Sequence, residues 1–328
     1  MVVNIFEGFK ARVCASGVAL ALAAGAASAQ DYPAKPVRVI VPFPSGGILD
    51  LVTRSVTERI GANWRQPIVV DPQPGASGNI GIQLAKSATP DGYTFMSSAI
   101  FLAVNPLLDP NSKFKSSDFV GVALVGATPN VLVVSSNLPV STLGEFVEYA
   151  KTRPGRLTAG YPGTGTFAHL FTLSLAGHAG LDLVNVPYKS LPQTIPDLLS
   201  GQLSFMVLTT TFALTHIKSG KLKALAVNTP ERLPGLPDVP TIVEAGLPQE
   251  IVGVQWFGFV APVGTPREAV RRFNGEVGKA LGSPDVIDRL EKLGVAISHG
   301  SPEQFDALIR SETERWARVI KARDLKAD

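Results

Sequence analysis

Short β-rich segments alternate with helical segments along most of this chain, and that alternation limits the possible folds more than any other feature of the sequence. The first cycle is an apolar strand at Val37–Val41, a loop, a helix predicted at 48–62 and a strand predicted at 68–70. Such cycles are typical of α/β layers in which helices cover parallel strands. We therefore predict an α/β protein in which each sheet is mostly parallel and flanked by helices.

The alternation is interrupted at two places where the chain would pass from one sheet to another. Predicted strands flank Gly126-Ala127-Thr128-Pro129, and a returning strand is predicted at 253–261, before a helical tail. We interpret these as the crossings of a hinged clamshell with two domains, residues 30–128 plus 253–328 and residues 129–252. Ligands in such sheets bind at the carboxyl ends of the strands.

The N-terminal segment, residues 1–29, has the features of a secretory signal peptide. Two basic residues precede an apolar run at 13–27, which ends in the small-residue sequence Ala27-Ser28-Ala29. We place the cleavage site after Ala29, so that the mature protein would begin at Gln30. Cys14, the only cysteine, lies inside the signal. The mature chain is therefore predicted to have no disulfide and no cysteine metal site.

Charge and composition argue against several classes of partner. The chain has 30 Lys and Arg against 27 Asp and Glu, a net charge of +3, and its basic residues do not interleave with aromatics as in a nucleic-acid groove. Its length and its 45% of hydrophobic residues suit two domains with large cores. After the signal, no segment approaches the roughly 20 apolar residues of a membrane span. We expect no nucleic-acid partner and no membrane span in the mature protein.

Three glycine-rich loops lie where strands meet helices. They are Pro42-Phe43-Pro44-Ser45-Gly46-Gly47, Gly75-Ala76-Ser77-Gly78 and Gly163-Thr164-Gly165-Thr166. At such positions glycine lets the backbone approach a ligand, and helix N–H groups point at an anion. For any one loop, a tight turn with a helix cap is the more ordinary explanation. Three such loops spread over two domains favour an anion-binding cleft.

Further motifs follow one another in a characteristic order along the chain. They are Tyr32-Pro33-Ala34-Lys35-Pro36, Pro42-Phe43, Gly46-Gly47 with Asp50, Pro74-Gly75-Ala76, Pro90-Asp91-Gly92-Tyr93-Thr94, Asn105-Pro106, residues 163–169, Val186-Pro187-Tyr188-Lys189, Gly201-Gln202, Gly220-Lys221-Leu222, Leu236-Pro237-Asp238-Val239-Pro240-Thr241, Ala261-Pro262 and Gly264-Thr265-Pro266. Together they resemble one family, the periplasmic receptors of tripartite tricarboxylate transporters, also called Bug receptors. The resemblance covers nearly the whole chain after the signal, and its specificity lies in the order and spacing of the motifs.

The resemblance implies a periplasmic binding protein with a type II-like clamshell fold, which captures a small organic carboxylate and delivers it to membrane permease subunits. It implies no enzymatic activity, no cofactor and no metal. Two loops, matching Phe43 to Gly47 and Gly75 to Gly78, would hold the carboxylate largely through main-chain N–H groups and bridging waters. The segment Gly163 to His169, with Tyr188 nearby, would close over the other end of the ligand.

Three individual residues allow more than one interpretation. Asp50, in the first turn of its helix, is expected to fix the first loop by accepting main-chain hydrogen bonds; contact with a ligand amine is the alternative. His169 either faces the cleft or packs beneath its loop, and the family resemblance favours the cleft. Trp256 is expected to pack in the core or at the hinge, with a wall of the ligand site as the alternative.

Other functional classes fit the sequence less well, with one exception. Gly163 and Gly165 belong to a pattern similar to a dinucleotide fingerprint, but Pro187 follows the next strand, where an acidic residue would bind the ribose. Ser45 and Ser77 do not lie in the G-x-S-x-G motif of a hydrolase. A ligand-presenting sensor that acts with a signalling partner has the same fold and stays the alternative to transport.

The chain departs from the family pattern by losing polar groups. Ile48-Leu49 replaces small or hydroxyl residues, Pro72-Gln73 replaces Asn-Arg, Ser204 replaces an aspartate, and residues 208–211 lack another acid. We therefore include Leu49 and Ser204 in the predicted ligand site. A less acidic, more apolar pocket favours an apolar or aromatic ligand with one or two carboxylates over citrate or an amino acid. The alternative is that these positions lie outside the pocket and vary with packing.

Overall fold

The computed structural model describes residues 32–109, 112–253 and 255–323. The described residues from Pro36 onward belong to one compact unit. The predicted signal peptide and its cleavage site lie outside the described residues. The described strands are β1 Val37–Val41, β2 Ile68–Pro72, β3 Thr94–Ala99, β4 Phe119–Thr128, β5 Asn130–Ser135, β6 Leu157–Tyr161, β7 Leu183–Pro187, β8 Phe205–Thr209, β9 Leu222–Val227, β10 Gln255–Pro262 and β11 Ala296–Ile297.

The α-helices follow the predicted alternation, with one helix, at Phe101–Leu108, that the sequence analysis did not predict. None of the described helices is long and apolar enough to cross a membrane. The described helices are α1 Ile48–Trp64, α2 Asn79–Lys86, α3 Phe101–Leu108, α4 Leu143–Lys151, α5 Phe167–Ala179, α6 Leu191–Ser200, α7 Thr210–Lys218, α8 Arg267–Leu281, α9 Pro284–Lys292 and α10 Pro302–Arg323.

The strands form two sheets, and both sheets are mixed. The first has the order β11-β4-β10-β3-β1-β2 and the second the order β7-β6-β8-β5-β9. In the first sheet β1 runs parallel to β2 and β3, whereas β10 runs antiparallel to β3 and β4, and β11 antiparallel to β4. In the second, β6 runs parallel to β7 and β8, whereas β5 runs antiparallel to β8 and β9. Four of the six strands of the first sheet, β1 to β4, run in one direction, as do four of the five of the second, β6 to β9. The predicted fold class, two mostly parallel sheets flanked by helices, is confirmed.

The antiparallel pairings involve the strands that carry the chain between the sheets. Strand β4 of the first sheet continues into β5 of the second across Pro129 alone, and β10 brings the chain back. Strands that arrive in this direct way lack the crossover helix that a parallel neighbour needs. The strands predicted on either side of Pro129 are present, while the exact domain boundaries stay a prediction.

The core of the first sheet is built around the apolar face of α8. The Phe273 ring lies 4.1 Å from that of Phe95, 5.3 Å from that of Phe259 and 5.7 Å from that of Trp64, measured between centroids. All of Phe273 is buried, so truncation to alanine would cost about 3–5 kcal/mol of stability. Trp256 is 1% exposed and packs edge-on against Phe305, as expected for a core residue.

Candidate functional site

A cavity of about 220 Å³ lies between the first and second sheets. Its volume exceeds that of a roughly 150 Å³ cavity known to hold benzene, so a ring or short chain with one or two substituents fits. The cavity is lined by the carboxyl-terminal ends of parallel strands and the helices that follow them, which is where ligands bind in open α/β sheets.

Five of the described helices begin at this cavity. Their N-cap residues, Gly47 of α1, Ile100 of α3, Thr166 of α5, Ser190 of α6 and Thr209 of α7, all line it. Only the cap of α5 has a side-chain hydrogen bond to its helix, whereas the other four have none. The first N–H groups of a helix have no partner within the helix and carry a partial positive charge. The cavity is therefore a favourable place for an anion.

The only charged side chain among the described lining residues is that of Lys189, which is exposed and makes no ion pair within the described part of the chain. No carboxylate side chain lines the cavity among these residues. The electrostatic balance of the site thus favours negative charge. A mostly apolar wall surrounds it, to which the aromatic residues Phe43, Phe101, Phe167, Phe212 and Phe257 contribute.

The first loop lines the cavity, and Asp50 fixes its shape. Residues Phe43 to Gly47 line the cavity, together with Leu49 of α1. Gly46 has φ +78°, a conformation that favours glycine, and its N–H donates to Asp50 Oδ2 at 2.9 Å. Asp50 is 2% exposed and also accepts from Arg54. The expectation that Asp50 orders the loop is confirmed.

The second loop lies behind the first. Gly78 faces the Phe43 ring, since a Cβ at Gly78 would lie 3.2 Å from it. Ala76 and Ser77 line a separate cavity of about 170 Å³. Residues Gly75 to Gly78 thus do not line the main cavity, and their contact with a ligand stays a prediction.

Asn105 of α3 joins the second and third loops. Its Nδ2 donates to Ser77 O and to Asn79 Oδ1, both at 2.9 Å. Its Oδ1 is so close to Gly165 that a Cβ there would lie 1.8 Å away. Gly165 has φ +75°, so both space and backbone conformation require glycine at this contact between segments of the two sheets.

The third loop contributes to both cavities. Thr166 lines the main cavity and Thr164 lines the second one. His169 is fully buried; its ring packs at a 39° tilt against that of Tyr161, with the centroids 4.4 Å apart, and its Nδ1 accepts the Gly165 N–H at 3.1 Å. The structure thus corrects the preference for a cleft-facing His169, because this side chain supports the loop from beneath. Gly163 does not line either cavity.

Tyr188 and Ser204 lie away from the main cavity lining. The Tyr188 hydroxyl donates to Asp197 on α6, and burial together with this carboxylate raises the pKa of Tyr188 to about 12. Ser204 exchanges hydrogen bonds with Thr158 before the start of β8. Of the departures from the family pattern, Ile48-Leu49 and Thr209 line the cavity, and the others do not.

Several polar residues line the cavity without having been predicted for the ligand site, namely Asn130, Lys189, Ser190, Thr209 and Gln255. Lys189, Ser190 and Thr209 follow or end strands of the second sheet, so the rule for strand ends could have identified them. Asn130 and Gln255 stand at the beginning of strands β5 and β10, which carry the chain between the sheets. Their position could not be inferred without knowing that both crossings border the cavity.

Comparison with known proteins places this architecture among solute receptors. Residues 52–325 match the family described as the tripartite tricarboxylate transporter family receptor. A Pseudomonas sp. (strain P51) protein, the UPF0065 protein in the tcbD-tcbE intergenic region, is 36% identical over 318 residues, which is 95% of this chain and 94% of that protein. Protein BugT of Bordetella pertussis is 34% identical over 93% of this chain and 94% of its own length.

Two solved structures of relatives contain carboxylates. An R. palustris protein in complex with adipate is 32% identical, with a TM-score of 0.81 over 90% of this chain and 99% of that one. MatC of Rhodopseudomonas palustris with bound malate is 31% identical, with a TM-score of 0.81 over 88% of this chain and 100% of that one.

Proposed function

Because this chain belongs to the tripartite tricarboxylate transporter receptor family, whose members are periplasmic solute-binding receptors, we propose that it captures a small organic carboxylate in the cavity between its two sheets and delivers it to membrane permease subunits. The observation that carries the proposal is the convergence of five helix N-termini on one apolar cavity with Lys189 at its edge and no acidic lining side chain among the described residues. The adipate and malate found with relatives support the ligand class.

The energetics of capture favour a site with many donors. Micromolar binding requires about 8 kcal/mol, whereas a helix N-terminus contributes up to about 2 kcal/mol. A charge-assisted hydrogen bond contributes about 1.5–3 kcal/mol. Several donors from different helices must therefore act on one carboxylate, while the aromatic wall gains free energy by burying the hydrocarbon of the ligand.

We expect the site to close around its ligand, with residues 30–128 plus 253–328 and residues 129–252 as the moving domains. A ligand that contacts both domains stabilises the closed form. Export would remove residues 1–29, so the protein recovered from a periplasmic fraction should begin at Gln30, as measured by intact mass.

A thermal-shift screen tests the ligand class. Adipate, malate, benzoate and phthalate are each compared with the matching amide, which keeps the shape and removes the negative charge. Because a ligand that binds only the folded form raises the melting temperature, at least one acid should stabilise the protein and its amide should not. Equal effects of acid and amide, or no effect of any acid, would contradict the proposal.

The delivery step has its own test. In a deletion strain, uptake of the labelled acid should fall while its metabolic genes are still induced by a membrane-permeant ester of the acid. Loss of induction with intact uptake would instead favour the ligand-presenting sensor. Recovery of chemically unchanged ligand after incubation with the protein distinguishes a receptor from an enzyme.

A further inference from the structure

Thr209 and Asn130 form a polar pair in the otherwise apolar floor of the main cavity. They are direct register partners at the ends of the antiparallel strands β8 and β5, and both line the cavity. Side chains of directly opposed residues lie on the same face of a sheet, about 4.5–5.5 Å apart at Cβ. Both are deeply buried, with Thr209 6% exposed and Asn130 2% exposed.

The Thr209 hydroxyl has no hydrogen-bond partner among the described residues. Although Thr209 is the N-cap of α7, its side chain accepts no bond from that helix. The nearby Pro129 carbonyl is already occupied, because it accepts from both the main-chain N–H and the hydroxyl of Thr210. Buried polar groups in native proteins normally have a partner, so a ligand in the cavity that Thr209 lines is a candidate for the partner that its hydroxyl lacks.

Asn130 complements this hydroxyl. Its Nδ2 donates to Thr128 O at 3.3 Å, and its Oδ1 accepts no hydrogen bond from the described part of the chain. The pair therefore presents one acceptor beside a group that both donates and accepts. A hydroxyl has the same dual character, since it can donate to Asn130 and accept from Thr209.

The surroundings disfavour a second negative charge at this pair. Val207, Phe212 and Phe257 line the cavity near it, and burial of a charge among apolar groups is far more costly than burial of a hydroxyl. Lys189, the one charged lining residue among those described, is exposed to solvent rather than buried on the floor. An uncharged polar substituent therefore suits the floor better than a second carboxylate.

We propose that Thr209 and Asn130 form a subsite for a hydroxyl group, so that the preferred ligand is a carboxylate with an apolar body and a hydroxyl substituent. This inference rests on the proposed function, because it assumes that the carboxylate is held by the helix N-termini. It makes Thr209 a specificity-determining residue rather than a general affinity residue.

Calorimetry with matched acids tests the subsite. The probes are benzoate with 3- and 4-hydroxybenzoate, butyrate with 3-hydroxybutyrate, and succinate with malate. The wild-type protein should bind at least one hydroxy acid about tenfold more tightly than its parent acid. T209V keeps the shape and removes the hydroxyl, and it should bring the ratio between the affinities for the hydroxy acid and its parent acid down to about one.

Two further variants serve as controls for the side chain and the fold. T209S keeps the hydroxyl and should retain the preference, and T209A tests the same loss with a smaller side chain if T209V does not fold. T128V removes a buried hydroxyl that also lacks a partner among the described residues but does not line the cavity, and it should retain the preference as well.

The outcomes separate the two proposals. If carboxylates bind but no hydroxy acid is preferred, or if the preference survives in T209V, the hydroxyl subsite is wrong and the receptor function stands. If none of the acids binds, the receptor proposal fails, and the subsite falls with it.

Discussion

Replacement of Asp50 by alanine tests whether the first loop is held in its binding geometry by a side chain of its own helix. Alanine removes the acceptor of the Gly46 N–H, a 2.9 Å charge-assisted bond that contributes about 1.5–3 kcal/mol. The ion pair with Arg54 adds at most about 1 kcal/mol, because 40% of the Arg54 side chain is exposed. We expect D50A to lose about 2–4 kcal/mol of unfolding free energy, measured by urea denaturation.

The same substitution should weaken ligand binding. Without the bond to the Gly46 N–H, the loop becomes ordered only when the ligand binds. The free energy needed to order the loop then reduces the binding free energy. We expect the affinity of D50A for the tightest acid of the screen to fall about 10- to 100-fold by calorimetry, a change of about 1.4–2.8 kcal/mol.

D50N is the matched control, because its amide oxygen can still accept the Gly46 N–H and only the charge is lost. It should remain within about 1 kcal/mol of the wild-type stability and bind with an affinity close to that of the wild type. If D50A loses stability yet binds as tightly as the wild type, the first loop does not hold the carboxylate and our assignment of the site is wrong.

Three further predictions follow from local geometry. G165A should lower ligand affinity and enlarge the radius of gyration in small-angle scattering, because the added methyl would overlap Asn105 Oδ1, 1.8 Å away; unchanged affinity and scattering would refute the close approach. Burial and the Asp197 carboxylate raise the pKa of Tyr188 to about 12, so D197N should shift the ultraviolet titration of Tyr188 toward about 10, and an unshifted titration would count against this contact. Burial raises the pKa of Asp118, but hydrogen bonds from a main-chain N–H and a neighbouring lysine outweigh it and leave the pKa lowered. Its folded pKa is therefore below the unfolded one, so the stability advantage of the wild type over D118N should be full near pH 7 and shrink as the pH falls below about 4; a constant difference in urea denaturation would contradict this.

Local pattern predicted the elements that begin and end with strong signals. Helix α1 begins at Ile48, as predicted, and the helix at Pro302–Arg323 belongs to the predicted helical tail; a glycine loop or a proline marks each start. Helix α3 at Phe101–Leu108 was missed, since Pro106 lies inside it and neither end carries a capping side chain. Its sequence also shows no alternation of apolar and polar residues at helical spacing, because most of its residues are apolar and buried.

The parts of the candidate site that lie within one loop could be predicted from the sequence. The parts formed by segments far apart in the sequence could not. The position of the first loop and the role of Asp50 could be predicted from the spacing between β1 and α1 alone. The pairing of Asn130 with Thr209 depends on the register of two strands far apart in sequence, which a single sequence does not encode in any local pattern. The orientation of His169 likewise depends on Tyr161 beneath it, on another element.

Every residue except proline has a main-chain N–H group whatever its side chain, and this separates capture from selectivity at the proposed site. The donors of five helix N-termini persist when a wall residue such as Leu49, Val207 or Phe212 is exchanged for another apolar one. On the proposed function, a few wall substitutions would therefore change which acid fits, while the main-chain donors for its carboxylate stay in place. A duplicated gene would then reach a new ligand through proteins that all still bind a carboxylate.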